Sequence, residues 1–365
     1  MAAHLERTLS RVYVRGVSRK ANTRCAFLAV PEGESPDAID SSLTYALLWL
    51  DRARQVTANQ NLSFLRLILP HGKSAALAYR LASLSSQLAI RVYELNTRSE
   101  RIELVEPCSN GNVSTWLVPR QEAQLLLERS QEMLALIIAL ASEAITPHAV
   151  PAEQEVVLRF RGLASARWSE GRIHFGVTAA MEELTAATQK KLQQLVQYLR
   201  RFRDPGAHDT RHALYRAQSE RWMQSLIAQD ITRIDLNLDP RHFCEQVFAQ
   251  TAGQHGVLDL LAVTRSRRLA ILELKASESP DLPLQAGDYW QRVKRHQAEG
   301  HFARYGYFPG LELQSLPPLV YLVAPALRFH PTSEALLSYL TPEMEVIRVG
   351  LADSWRHGIR VVMRR

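Results

Sequence analysis

Two carboxylates and one amine stand out in this chain because they interrupt stretches that are otherwise apolar. Residues 255–263 read HGVLDLLAV, with Asp259 the single acidic group, and residues 269–275 read LAILELK, with Glu273 and Lys275 closing the run. A carboxylate inside a buried strand is costly unless it is paired or metal-bound. Side chains at i and i+2 of a strand share a face, so Glu273 and Lys275 point the same way. Asp259 joins them if the hairpin sets residue 259 opposite 273 or 275, which demands an odd-numbered loop or a bulge that shifts the register by one. Gathered in this way, the three groups suit phosphodiester hydrolysis. Mg²⁺ takes oxygen ligands, typically one or two carboxylates with waters and a substrate phosphate. Asp259 and Glu273 supply the carboxylates, the backbone carbonyl of Leu274 a further oxygen, and Mn²⁺ is a substitute metal. Lys275 would stand beside the attacking water or the charge growing on the phosphate. The same residue types also suit a plain Glu273–Lys275 ion pair on an edge strand, with Asp259 at a strand end.

The elements that must position these groups are legible on both sides. Such apolar runs belong to the middle of a sheet covered by helices. A helix over 214–228 carries Glu220, and a strand over 242–249 carries Glu245. After Lys275, a helix begins around Gln285-Ala286-Gly287-Asp288-Tyr289, where the spacing puts Gln285 and Tyr289 on one face. Trp290, Arg292, Lys294, Arg295 and His296 continue it. Trp290 reads as core, whereas Tyr289, Arg292, Lys294 and Arg295 are candidates for contact with a nucleic acid. A buried strand over 318–327, a helix over 332–340 and strands over 344–349 and 358–363 complete the region.

This order of elements resembles the PD-(D/E)-x-K nuclease superfamily, which includes type II restriction enzymes, RecB-like exonucleases and archaeal junction resolvases. The match spans roughly residues 214–295. It places the family's metal-binding aspartate at Asp259, its acidic residue and lysine at Glu273 and Lys275, and its first-helix glutamate at Glu220, with Glu245 as a rival. The RecB-like Q-x-x-x-Y falls on Gln285 and Tyr289. Two features depart from the pattern: Val257-Leu258-Asp259 lacks the proline, and His212, eight residues ahead of Glu220, does not match the RecB-like histidine. The resemblance implies a restriction-endonuclease-like mixed sheet flanked by helices, with a separate N-terminal α/β domain. It implies a Mg²⁺-dependent nuclease acting on DNA rather than RNA. Asp259, Glu273, Lys275 and Gln285 would be its catalytic residues, and Glu220, Asp259, Glu273 and Leu274 its metal ligands. The alternative is a nucleic-acid-binding or scaffold protein of the same fold with weak or lost catalysis.

The 365 residues suffice for two domains. Upstream, strands are expected over 23–30, 63–69 and 88–95, and helices over 41–54, 71–84 and 119–143. Strands over 153–161 and 172–177 follow, then a helix over 178–203 that stops before Asp204-Pro205-Gly206. The divisions are an N-terminal α/β domain (1–176), a linking helix (177–207) and a nuclease-like domain (208–365). Gly72-Lys73-Ser74 lacks the upstream glycine of a phosphate loop. The N-terminal domain could be a degenerate second copy of the nuclease-like fold, a nucleotide-sensing domain or a dimerisation unit. The formal net charge of +7 favours a polyanionic partner. Three scattered cysteines fit no disulfide framework. The N-terminus lacks the apolar core of a signal peptide, and the longest apolar run, Met133–Ala141, is too short to span a bilayer. A cytoplasmic protein without a membrane partner is therefore expected, and a homodimer is compatible with the sequence.

Overall fold

The computed structural model describes residues 13–20, 23–56, 62–74, 77, 80–105, 117–177, 181–245, 247 and 258–365, which form three sheets in a mixed α/β protein. The first sheet contains β1 (Val14–Lys20), β2 (Thr23–Ala29), β3 (Leu62–Pro70), β4 (Ala89–Asn96) and β5 (Arg101–Val105), with α1 (Pro36–Val56) between β2 and β3. Pro36 and Asp37 suit the first turn of α1, where a missing N–H is harmless and a negative charge is favoured. Leu43, Leu47 and Leu50 recur along α1 at helical spacing, and Leu65, Leu67 and Leu69 alternate along β3; all are buried in one core. Of the helix expected over 71–84, Leu77 is helical, and residues 75, 76, 78 and 79 lie outside the described residues. The helical stretch starts after a turn at His71 and Gly72, and a 3-10 turn over Arg80–Ser83 follows it.

The region up to residue 176 holds two sheets rather than one α/β unit. After α2 (Arg120–Ala139) the chain builds β6 (Ile145–Val150), β7 (Glu155–Phe160), β8 (Leu163–Ser169), β9 (Arg172–Phe175) and β10 (Glu182–Glu183), an antiparallel meander. Strand β8 falls between the two strands expected there. The helix expected over 178–203 starts only at Gln189, as α3 (Gln189–Phe202). Leu134 and Ile137 of α2 and Leu192, Val196 and Leu199 of α3 pack with β7 and β8 in a core of their own.

The third sheet follows α4 (Ala213–Arg216) and α5 (Ser219–Gln229). These are two helices rather than one over 214–228, because Gln218 between them takes a left-handed φ of 45°. Then come β11 (Leu238–Glu245), β12 (Leu260–Thr264), β13 (Leu269–Leu274), α6 (Leu282–Ala298), α7 (His301–Arg304), β14 (Leu319–Pro325), α8 (Ser333–Leu337), β15 (Val346–Leu351) and β16 (Val361–Arg364). The strand order is β11-β12-β13-β14-β15-β16. One face of this sheet shares a core with α6, α1 and the first sheet, and the other packs on Trp222, Met223 and Ile227 of α5.

Strands β1–β5 and β12–β16 follow the same course. Each set begins with an antiparallel hairpin, adds two parallel strands and ends on an antiparallel one. In each, a long helix joins the hairpin to the first parallel strand, and that strand ends in proline: Pro70 in β3, Pro325 in β14. Cys25 and Cys244 are buried and unpaired, and Cys108 lies outside the described residues. No described helix is long and apolar enough to cross a membrane.

Candidate active site

The β12–β13 hairpin meets the register condition without a bulge. Leu260 pairs with Leu272 and Val263 with Leu269, leaving an odd-numbered loop over 264–268 and placing Asp259 opposite Glu273. Arg267, at φ 68°, supplies the left-handed residue that closes this loop, and the Thr264 N–H donates to the Arg268 carbonyl at 2.8 Å. Asp259 is fixed at both ends. Its Oδ2 accepts the Leu274 N–H at 2.9 Å, and its backbone carbonyl accepts from Gln224 Nε2 of α5 at 3.1 Å.

Glu273 is 3% exposed, and its Oε2 has no hydrogen-bond partner among the described residues. Both carboxylates resist ionisation. Burial pushes Asp259 up to about 7, against the opposing pull of the Leu274 amide and Lys275. Burial, and next the Asp259 charge, raise Glu273 well above the carboxylate range. Lys275 Nζ lies 3.8 Å from Glu273 Oε1 and 3.6 Å from Glu220 Oε2. Burial works against the Lys275 charge, but Glu273, Glu220 and Asp259 together outweigh it and hold the ammonium above its usual value. Glu220, in the first turn of α5, also lines a cavity of about 390 Å³ with Arg216, Gln218, Ser219, Arg221, Ala276 and Ser277. The buried carboxylates thus adjoin an open pocket through Lys275 and Glu220.

The other candidates separate by placement. Gln285 buries an unpartnered Oε1 on the first turns of α6. Tyr289, one turn on, is buried, and its hydroxyl is pushed well up by burial first and then by Glu273 and Asp259. Leu274 buries its side chain in the core under α5 and uses its amide to hold Asp259. Glu245 accepts from Gln224 Nε2 at 3.0 Å and lies 3.3 Å from His148 Nδ1 on β6. Burial, then Arg159 and Arg221, lower His148 to about 3, so the ring is neutral and that contact is not an ion pair. Of the two rival glutamates, Glu220 is the one that meets Lys275.

The three cations expected to contact nucleic acid each pair with a carboxylate, one in the interior and two at the surface. Arg292, 4% exposed, forms a buried pair with Asp288 at 2.9 Å, so it offers no charge to a groove. Lys294 pairs with Glu343 and lies 4.7 Å over the Trp290 ring, and Arg295 pairs with Glu299 at 2.8 Å. Trp290 is core and donates to the Pro318 carbonyl at 2.9 Å. At the far end of α6, His296, Glu299 and His301 group their ligand atoms within 4.8 Å. One hydrogen bond between the two imidazoles accounts for their 2.9 Å approach, and Arg295 already holds Glu299.

Residues outside the expected catalytic group complete the support, among them Arg203, whose place at the basic end of a helix suggests a dipole partner or a phosphate-facing rim. Gln224 joins Asp259 to Glu245. Arg203, 0% exposed, donates to the carbonyls of Phe160 and Arg161 in the meander and of Leu214 and Ala217 beside α5. Gly162 at the β7–β8 turn lies so close to α5 that an added Cβ would sit 2.4 Å from the Arg221 carbonyl oxygen. The meander is thereby pinned to the helix that carries Glu220. Asp204-Pro205-Gly206 signalled a helix stop, and only contacts distant in sequence give Arg203 its role. No protein-family model matches the chain, and no curated protein is significantly similar to it.

Proposed function

We propose that this chain is a Mg²⁺-dependent nuclease that hydrolyses phosphodiester bonds, in DNA rather than RNA. The observation that carries this is the buried Glu273 Oε2, unpartnered opposite a second buried carboxylate and beside a lysine. Two adjacent carboxylates that both disfavour charge describe a site completed by a cation, and their hard oxygens suit Mg²⁺ or Mn²⁺. Asp259 and Glu273 would hold it, with the Leu274 carbonyl and Glu220 as further oxygens. When bound, the ion would polarise the scissile phosphate and lower the pKa of a coordinated water.

The protein's own groups do the rest. Leu274 and Gln224 fix Asp259, so the carboxylate is positioned before substrate arrives. Lys275 is held charged by its three acidic neighbours and stabilises negative charge growing on the phosphate. Gln285 and Tyr289 present polar atoms from α6 to orient the substrate backbone. The test is cleavage of linear, circular and branched DNA, with RNA alongside, in Mg²⁺. Asp259→Asn, Glu273→Gln and Lys275→Ala should each lower the rate on the order of 10²–10³-fold with the fold intact by circular dichroism. Gln285→Ala should lower it less. If all three variants cut like the parent, the proposal fails.

A further inference from the structure

The N-terminal sheet repeats the candidate catalytic sheet position by position. Ala29 pairs with Ile68, two residues before Pro70, and Leu274 pairs with Val323, two residues before Pro325. Both prolines pair with a leucine of the next strand, Leu95 and Leu351. One residue beyond each hairpin strand, the Val30 N–H donates to the Ile68 carbonyl and the Lys275 N–H to the Val323 carbonyl, both at 2.9 Å. Val30 therefore stands where Lys275 stands, and Leu28 where Glu273 stands. Leu28 pairs across its hairpin with Arg15, so Arg15 occupies the place of Asp259. At all three positions the chemistry is gone: two buried apolar side chains replace Glu273 and Lys275, and a guanidinium replaces a metal-binding carboxylate.

The two copies also meet as a symmetric pair would. Leu84 bridges to Leu340, each lying between the two parallel strands that follow the hairpin of its own copy. The bridge is reciprocal: the Ser85 N–H donates to the Tyr339 carbonyl and the Thr341 N–H to the Ser83 carbonyl, both at 2.8 Å. Helix α6 packs on the Arg80–Ser83 turn of the first copy, while α1 packs on α8 of the second. This exchange is the mark of an isologous interface. Gly287 permits the approach, since a Cβ there would lie 2.8 Å from Ser83 Oγ. Ser41 and Thr44 of α1 both donate to Asp281 at the start of α6. The second and third turns of α1 thus adjoin the start of α6.

We infer that the chain is a fused pseudo-dimer with one working centre and one silent one, and that it nicks one strand of a DNA duplex while the silent copy lies against the other. The inference rests on the nuclease proposal above for the cut itself. A pair of centres related by a two-fold axis suits the dyad of a duplex. With the metal-holding residues lost from one of them, each binding event breaks a single strand. Hydrolysis adds water across one P–O bond, leaving a phosphate on one fragment and a hydroxyl on the other.

Two measurements on the full chain test this. The first is digestion of supercoiled plasmid in Mg²⁺. Nicked circles should accumulate first, at a rate proportional to protein concentration. Direct conversion to linear molecules, rising with the square of concentration, would overturn the inference and leave the nuclease proposal standing. The second is the mass and hydroxyl-radical footprint of Glu273→Gln bound to a short duplex. One chain protecting both strands supports the pseudo-dimer even if the parent cuts nothing, in which case the nuclease proposal is the one that fails. Two chains per duplex, or protection of one strand only, would overturn it.

Discussion

Where the C-terminal sheet holds Asp259, Glu273 and Lys275, the N-terminal sheet holds Arg15, Leu28 and Val30 at matched positions of the same strand topology. Leu28 and Val30 are buried without penalty in the core under α1. The backbone therefore does not require charge at these places. The fold can be built with apolar side chains there, as its own first half shows. Glu273 and Asp259 are kept in an environment that raises the pKa of both, a conflict between stability and local chemistry that marks them as a candidate site.

The contrast can be broken from either side. The largest effect should come from Leu28→Glu. It places a carboxylate in the apolar core under α1, where only the half-exposed Arg15 stands across the hairpin, and desolvating the charge should cost about 3 kcal/mol. A urea unfolding midpoint equal to the parent's would show that the two positions are not equivalent. The reverse exchange, Glu273→Leu, should abolish cleavage and raise stability by about 2 kcal/mol, because it removes a buried carboxyl whose Oε2 has no hydrogen-bond partner among the described residues. A loss of stability would mean that Glu273 is a structural partner of Lys275 and nothing more.

A smaller effect follows from protonation. In protein stripped of metal by chelation, folded Asp259 binds its proton more tightly than the unfolded chain does, with its pKa raised from 3.8 to about 7. Between about pH 4 and pH 7 the native state thus carries the extra proton, so this group's contribution to stability is present at low pH and lost as pH rises. Mg²⁺ competes with that proton. The rise in Tm on adding Mg²⁺ should be larger at pH 8 than at pH 5, and equal rises at both would count against Asp259 as a ligand.

The sequence disclosed the local parts of this picture. The acidic residues in apolar strands, the i, i+2 pairing of Glu273 with Lys275 and the Gln285–Tyr289 helix face all follow from short-range periodicity. The register that sets Asp259 opposite Glu273 depended on one loop of odd length, which the sequence permitted and the hairpin realises. What it withheld was long-range. A single Gln218 in the left-handed region splits a helix whose apolar spacing looks continuous. Strand β8, rich in small residues, carries little alternation to mark it. Arg292 looks like a surface cation until Asp288, one turn earlier, is seen buried with it. A degenerate second copy is one of three readings that the sequence allows for the N-terminal half; Arg15, Leu28 and Val30 share nothing with their counterparts, and strand pairing is what matches the two sheets, down to Pro70 with Pro325.

Titration calorimetry of Mg²⁺ or Mn²⁺ into the chelated full-length protein tests the central claim most directly. One divalent ion should bind per chain, and Asp259→Asn or Glu273→Gln should remove that binding while Arg15→Ala leaves it intact. Two ions per chain, or binding that survives the loss of both carboxylates, would contradict the account.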